Sequence, residues 1–504
     1  MAAVILAAPV AFVDFPKLPD YPAHFAAFYL IGDGASDALL RRVYRIVWLP
    51  IPNLAAEVVV PALAHLMSLV TATKLFLAVS IVLWVLGPAL VHRALFGRFG
   101  LGAVLAGAFA YNVNLMWGFL NYYFGAGLAF FVFAAWIATA KRRTADHLLL
   151  FALAAIILYF CHIFAAVVLA FMIIFFEAGA VLGERPIRWQ ALGSRAASIF
   201  AVFLPVAIAF FFKPKGEGDN HVDFNLIDTA LDRLDAILQR YFDRPAYVLL
   251  AVLLVSLGAA LYFKRAAINR RMRVLLSALF VCSLLVPEWA MGGWGIDLRL
   301  PAVLCSLLFA SAEIRLSARN TALLGGAVLV TFLGCATGLA MNWREYDRQV
   351  KEFRASLVHV PLGANVLTVL DGDAIGMRSD QPYWHMAELA IVDRKAFTPL
   401  MFTTPGQHVT RLLRPYTKFA AAAANQGSPP DITELEDLAN GTSDDDLDIQ
   451  LIFPYLMYFQ CHFDEAVVIH LNGKRSPIPP MLHLRHEGSF FSLYDIDRST
   501  CPKR

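Results

Sequence analysis

A carboxylate and an imidazole one helical turn apart, Asp20 and His24 in DYPAH, open the most polar stretch of an otherwise apolar N-terminal region. Asp is favoured at a helix N-cap and Pro is tolerated in a first turn, so the pattern predicts a short helix starting at Asp20. Two roles are open to Asp20. It either caps that helix, or, lying just beyond a membrane segment beside a cavity, it has a raised pKa and serves as a general base. His24 is either a packed or capping side chain or a second acid–base group. The same stretch, Pro19 to Glu57, also holds Asp33, Asp37, Arg41, Arg42, Arg45 and Glu57, and is expected to fold as short amphipathic helices on an outer membrane face.

Two further clusters carry polar groups between apolar segments. Asn112, Asn114, Trp117, Gly118, Asn121 and Tyr122 fall in YNVNLMWGFLNYYFG, and His162 occupies a later turn at the same level. Polar residues at membrane depth face the bundle or a cavity, so these side chains either join helices by hydrogen bonds or line a substrate pocket. Glu288, Trp289, Trp294, Asp297 and Arg299 form the other cluster, in PEWAMGGWGIDLRLP. Arg299 is a lone cation on a poorly basic side. Its fork matches phosphate oxygens, the alternative being an ion pair with Asp297 or Glu288.

Other patterns carry less. Asp371-Gly-Asp373 follows an apolar strand in the manner of a metal-binding D-x-D, but short acidic turns after strands are common. Asp444 to Asp446 reads as a solvated acidic loop. His483 and His486 lie in a strand-like stretch, on opposite faces, which argues against a metal site. No P-loop, zinc pattern, nucleophile elbow or dinucleotide fingerprint is present. No cofactor is expected, and a divalent-metal requirement is left open.

The elements that must hold these residues follow from composition. The chain has 504 residues, 59% hydrophobic and 16% charged, with a net charge of +3. Its mean hydropathy of +0.60 is that of an integral membrane protein. The basic residues are not pooled, so nucleic-acid binding has no support. Spans of the length a bilayer requires are expected near 74–91, 101–120, 122–140, 147–160, 163–181, 196–212, 246–263, 274–290, 300–314 and 321–341, which with 1–13 makes about eleven. Segment 1–13 is short and lacks a basic flank, so the natural start is expected upstream.

Basic residues fall in alternate connections: Arg93 and Arg98, Lys141 to Arg143, Arg185 to Arg195, Lys264 to Arg273, and Arg315 with Arg319. The positive-inside rule assigns these to the cytoplasm. It also favours two short spans meeting near Cys161 and His162 over one long helix. The first loop, 14–72, the connection 213–245 with an amphipathic helix at Leu226 to Tyr241, and everything after Trp343 then lie outside.

The fold class is therefore a polytopic all-α membrane bundle, 1–343, with a C-terminal periplasmic α/β domain, 344–504. Within the latter, Glu345 to Leu357 reads as a helix and Asn365 to Leu370, Ala466 to Leu471 and Phe490 to Ile496 as strands. Ala420 to Ala424 and Ser428 to Pro430 read as linkers. Cys461 and Cys501 can pair in an oxidising compartment.

The layout and the stretches DYPAH at 20–24, IPNLA at 51–55, WGFLN at 117–121 and RKAFTPLMFTTPGQ at 394–407 resemble an uncharacterised bacterial family of the GT-C superfamily of polyprenyl-phosphate-sugar glycosyltransferases. The resemblance implies an inner-membrane enzyme that moves a sugar from a polyprenyl-phosphate donor to a lipid or glycan acceptor of the cell envelope, with inversion. Asp20 would be the base and Arg299 would steady the leaving phosphate. Many members pair acidic residues in the first loop; Asp20 has no acidic neighbour, which leaves Glu57 as the second carboxylate or the activity altered. A transporter or flippase would place ionisable groups at mid-membrane in paired halves, neither of which is found. A non-catalytic envelope scaffold is the third reading.

Overall fold

The computed structural model describes residues 1–140, 142, 144–183, 189–214, 222, 224, 233, 236–237, 243–290, 293–372, 381–418, 429–442, 455–471 and 475–502. The expected helix at Leu226 to Tyr241 falls mostly outside these residues, as do Asp373, Ala420 to Ala424 and Asp444 to Asp446.

Among the described residues five helices are long and apolar enough to cross a membrane: Leu69–Phe96, Leu120–Ala138, Ile163–Gly183, Leu192–Phe211 and Ala318–His359. The first begins at Ser68, whose hydroxyl accepts the Thr71 N–H at 3.2 Å, and ends at Gly97, which takes the left-handed conformation with φ 74°. It packs tightly on Leu120–Ala138. A Cβ on Gly87 would come within 2.6 Å of the Phe130 Cβ, and one on Gly127 within 2.9 Å of the Leu83 Cβ. Small residues let helix backbones approach where lipid supplies no hydrophobic drive. Trp84 stacks on Tyr123 in this contact, centroids 4.7 Å apart.

Several expected spans are shorter or broken. Segment 1–13 is a helix over Ala2–Ala7 followed by a 3-10 turn over Ala8–Phe12, with Pro9 at the junction. The 101–120 segment divides into Leu101–Ala106, a 3-10 turn over Gly107–Ala110 and Val113–Trp117. Asn112 restarts the chain as an N-cap and Gly118, at φ 88°, stops it. The helix expected to reach residue 290 stops at Leu285, two residues before Pro287. The helix after Arg299 ends at Ala310 and gives way to the strand Ala312–Ile314, paired antiparallel with Ala266–Ile268. His162 is extended and separates Ala145–Cys161 from Ile163–Gly183, so the two helices meet where the charge parity put them.

The helix expected at Glu345 to Leu357 is not separate from the last span. Both belong to one 39-residue helix, Ala318–Ser356, because nothing between Met341 and Arg344 breaks it. At 1.5 Å per residue it is about 58 Å long, so it runs well beyond a ~30 Å hydrocarbon core. Its distal half fixes the entry to the first loop. The Asp347 carboxylate accepts the N–H groups of Asp14 and Phe15 at 3.0 and 2.9 Å, and Asp14 in turn pairs with Lys74 and Lys351 at 3.3 Å each.

The C-terminal part builds a four-stranded sheet in the order Val366–Asp371, Glu465–His470, Phe491–Ile496, Leu482–Glu487. The first pair is parallel and the others antiparallel. Val366–Asp371 is buried along its whole length, whereas the edge strand Leu482–Glu487 turns charged side chains outward, a common protection of a sheet edge. Cys461 and Cys501 form a disulfide.

The first loop does not begin with the amphipathic helix expected at Asp20. Tyr21–Ile31 is apolar all round, YPAHFAAFYLI, and a helix of that kind is buried on every side. Ala26, Ala27, Leu30, Leu40, Val43 and Tyr44 share one buried cluster with Leu367, Val369, Ile391 and Phe397. Tyr44–Ile46 also pairs antiparallel with Thr410–Leu412. The loop is thus clamped between the bundle and the C-terminal sheet.

Candidate active site

Asp20 is the N-cap of Tyr21–Ile31, yet its side chain makes no capping hydrogen bond, so the carboxylate is not spent on the helix. The backbone around it is held instead. Its N–H donates to the Trp117 carbonyl at 3.0 Å, and a Cβ on Gly118 would lie 3.3 Å from the Asp20 Cβ. The nearest charged partner of the carboxylate is His385, Nε2 to Oδ1 4.0 Å, with Asp20 17% and His385 4% exposed. Burial raises the Asp20 carboxyl to about 6, with the His385 charge pulling the other way. A carboxylate so placed is a competent base near neutral pH.

Glu57 lies on the same side. It is buried, and Asn121 holds it by Nδ2 to Oε2 at 2.8 Å; the same amide accepts the Ala56 N–H at 2.7 Å and reaches the Asn53 carbonyl at 3.3 Å. Burial raises Glu57 to about 7 against that hydrogen bond. His24 faces it, Nδ1 to Oε1 3.9 Å. Burial, with His408 and His385 nearby, depresses the His24 imidazole to about 3, and burial beside Arg411 does the same to His408. Both rings are therefore neutral at pH 7. Phe402 sits between His24, His385 and His408, with centroids 5.2, 5.0 and 5.1 Å away.

An aromatic wall leads from Asp20 to Arg299. Trp117 meets Trp294 edge-on at 4.8 Å and Trp384 at 6.2 Å. Trp294 donates to Glu288 at 2.8 Å, and its carbonyl accepts from Arg299 at 3.3 Å. The Arg299 guanidinium is caged by Phe119, Tyr122 and Phe164, 5.5, 5.4 and 4.6 Å from their centroids. Among the described residues no carboxylate pairs with it, and its buried Nε has no hydrogen-bond partner. Asp297 is paired elsewhere, with Arg233 at 3.3 Å, and Arg233 also donates to the Ser283, Leu284 and Val286 carbonyls at the end of the neighbouring helix. The alternative of an Arg299 ion pair with Asp297 or Glu288 is therefore not what the structure contains.

The remaining expected residues are largely committed to shape. Asn112 accepts the Asn114 N–H at 3.0 Å and donates to the Phe109 carbonyl at 2.7 Å, while Asn114 reaches the Leu298 carbonyl at 3.4 Å. His162 accepts the Phe164 N–H at 3.1 Å and packs on Tyr122, so it orders two walls of the Arg299 cage.

Sequence reading missed His385, Glu388 and Trp384, which the C-terminal part contributes, and His408. Only Phe402 falls within a stretch singled out beforehand. A signal was available in QPYWHMAEL, where a histidine and a glutamate stand three apart between apolar residues, but nothing in it says that they face residue 20. Asp371 is no metal ligand in waiting: its oxygens hold His470 at 2.7 Å and the Ser476 N–H at 3.1 Å. His483 and His486 face different partners, Asp497 and His359. Among the described residues no three His, Cys, Asp or Glu side chains converge as metal ligands.

No family model and no curated protein matches the chain. Solved structures do. ArnT from Cupriavidus metallidurans bound to undecaprenyl phosphate aligns over 100% of this chain and 98% of its own, with TM-score 0.50 and 11% identity. The same protein in the apo state aligns over 99% and 97% at TM-score 0.48 and 11% identity. Arabinofuranosyltransferase AftD from Mycobacteria aligns over 98% of this chain and 40% of its own, at 0.44 and 16%. The chain is a multi-pass membrane protein, and its fold is similar to that of the solved ArnT structure.

Proposed function

We propose that the protein is an inverting glycosyltransferase that takes a sugar from a polyprenyl-phosphate donor and passes it to a hydroxyl of a lipid or glycan acceptor in the cell envelope. The observation that carries this reading is the Asp20 carboxylate, desolvated, free of its capping bond and joined by an aromatic wall to a guanidinium without a carboxylate partner. The solved relative of this fold that carries undecaprenyl phosphate supports the donor class.

Asp20 removes the proton of the acceptor hydroxyl, and the oxygen attacks the anomeric carbon from the face opposite the phosphate. The new carbon–oxygen bond forms as the anomeric carbon–phosphate oxygen bond breaks, and the electron pair leaves with the polyprenyl phosphate. Arg299 faces the charge that builds on that phosphate; a dry cage strengthens such a contact. The tryptophans offer flat apolar faces to a sugar ring. The second carboxylate is Glu57, whose half-ionised state near neutral pH suits it to orient a sugar hydroxyl.

The disulfide between Cys461 and Cys501 accords with an oxidising compartment, and so with the site opening to the periplasm of a bacterial inner membrane. The test is transfer from radiolabelled polyprenyl-phosphate sugars to an envelope extract by purified protein in lipid, with Asp20→Asn in parallel. Label in the acceptor with wild-type protein alone is the expected result. No transfer from any donor by folded wild-type protein overturns the reading, and an active Asp20→Asn protein overturns the base.

A further inference from the structure

Behind Asp20 stands a second layer that the transfer chemistry above does not use. His385 reaches Asp20 with Nε2 and points Nδ1 at Glu388, 3.8 Å from Oε2, while Glu388 is wholly buried. The His385 Nδ1 and both Glu388 oxygens have no hydrogen-bond partner. A buried carboxylate without partners is costly, so its position three residues from a buried histidine needs a compensating charge. The imidazolium is the cation in reach. Phe402 packs edge-on against the His385 ring.

We propose that His385 and Glu388 are positioning residues: a buried carboxylate–imidazolium pair, delivered by the C-terminal part, that fixes the Asp20 carboxylate in place and sets how readily it ionises. This inference rests on Asp20 being the base of the proposed transfer. Burial draws the His385 imidazole down, but Glu388 and Asp20 outweigh it and hold the ring above the usual histidine value. The other titratable groups around the pair are His24 and Glu57 from the first loop, His408 with Arg411 behind it, and Tyr44 and Tyr455 beside Glu388. Since His24 and His408 are neutral, the positive charge against Asp20 comes from His385.

The consequence is an interlock. Only when the C-terminal part is docked on the first loop does Asp20 meet its counter-charge, so the base is tuned by a segment more than 350 residues away in sequence.

The experiment is infrared titration of the Asp20 carboxyl band, isolated as the difference between each protein and the same protein carrying Asp20→Asn. It reads the carboxyl with or without turnover. In His385→Gln the midpoint is expected to rise by about one to two pH units, the range for loss of an opposite charge at this distance. Glu388→Gln, nearly isosteric, is expected to move it the same way by less, and His385→Arg, permanently charged, to keep it at or below the wild-type midpoint. A midpoint unmoved in Glu388→Gln and in His385→Gln overturns the inference, and so does a rise in His385→Arg equal to that in His385→Gln. Transfer assays on the same proteins separate the two failures. A wild-type protein inactive with every donor defeats the proposed function, whereas active wild type with an unshifted Asp20 midpoint in both variants defeats the positioning pair alone.

Discussion

Two carboxylate–imidazole pairs in this chain are built in opposite ways. Asp371 and His470 stand side by side at the ends of adjacent parallel strands, 2.7 Å apart, and His470 continues to Ser492 on the next strand at 2.9 Å. Both histidine nitrogens and both aspartate oxygens are used, since Asp371 also takes the Ser476 N–H. Asp20 and His385 lie 4.0 Å apart, His385 and Glu388 3.8 Å, and three of the polar atoms have no partner. The tight pair has everything it needs and joins strands. The loose one is incomplete, and unsatisfied polar atoms are what a reacting group can engage.

The largest effect that sharpens this contrast is on turnover. Asp20→Asn is expected to lower transfer by about 10²–10⁴-fold, the range for loss of a general base, whereas Asp371→Asn leaves the rate per folded molecule unchanged. Equal losses in transfer assays would erase the contrast. The same substitution carries a stability signature of a set sign. Asp20 titrates near 6 in the folded protein against an ordinary 3.8, so ionising it disfavours the fold. Its favourable contribution is present below about pH 4 and is lost as pH rises through 6. Asp20→Asn, neutral throughout, is expected to melt with wild type at pH 4 and to be more stable at pH 8 by on the order of 1–3 kcal/mol. Thermal melts at the two pH values read this, and a destabilised variant at pH 8 would contradict the desolvated base.

Next in size is Arg299→Ala. If its charge meets a leaving phosphate as proposed, its loss is expected to cost about 10²-fold in kcat, and Arg299→Lys to recover only part because an ammonium lacks the planar fork. A change confined to melting temperature would make the guanidinium a packing group of the Phe119, Tyr122 and Phe164 cage.

These side chains were unequally legible in the sequence. Asp20, Glu57, Asn121, Trp117 and Arg299 stood out because each is polar or bulky within an apolar context, and membrane helices announce themselves by composition. The stretches 20–24, 51–55, 117–121 and 394–407 prove contiguous: Asp20 bonds to Trp117, Asn121 to Asn53 and Ala56, Asn53 to Gln407, and His24 packs on Phe402. What stayed hidden is long-range. The pairing of Tyr44–Ile46 with Thr410–Leu412 spans most of the chain, and nothing local in either strand encodes it. The break at Tyr111 and Asn112 was lost because apolar residues run through it, and the continuity of Ala318–Ser356 because its composition changes from apolar to charged without a helix breaker. Asp371 and His470 were unreadable as a pair for the same reason: their meeting is fixed by strand register.

Asp371→Asn should act on stability instead. It replaces one of two acceptors with a donor facing a donor, and a buried hydrogen bond to a charged group is worth about 1.5–3 kcal/mol. A denaturant midpoint lowered with unchanged slope checks it, and no change would mean that the pair contributes nothing to the sheet.

Ser492 makes the smallest contribution and poses the sharpest question, since Ser492, His470 and Asp371 stand in the order of a nucleophilic triad. Chemistry needs access, and Ser492 is wholly buried near the start of Phe491–Ile496, in a strand flanked by two others, with no approach for an acyl or phosphoryl group. Its hydroxyl shares a hydrogen bond with His470 Nε2, which fixes the ring and passes the constraint to Asp371 across the sheet. Ser492→Ala removes that bond and leaves one imidazole nitrogen unsatisfied, for a loss of about 1 kcal/mol and no change in transfer. A fluorophosphonate probe, which reacts with activated serines, is expected to leave Ser492 unlabelled in the folded protein. Labelling at Ser492, found by peptide mapping and abolished in Asp371→Asn, would mean that the satisfied pair is reactive too, and that closure of a hydrogen-bond network does not by itself mark structure in this chain.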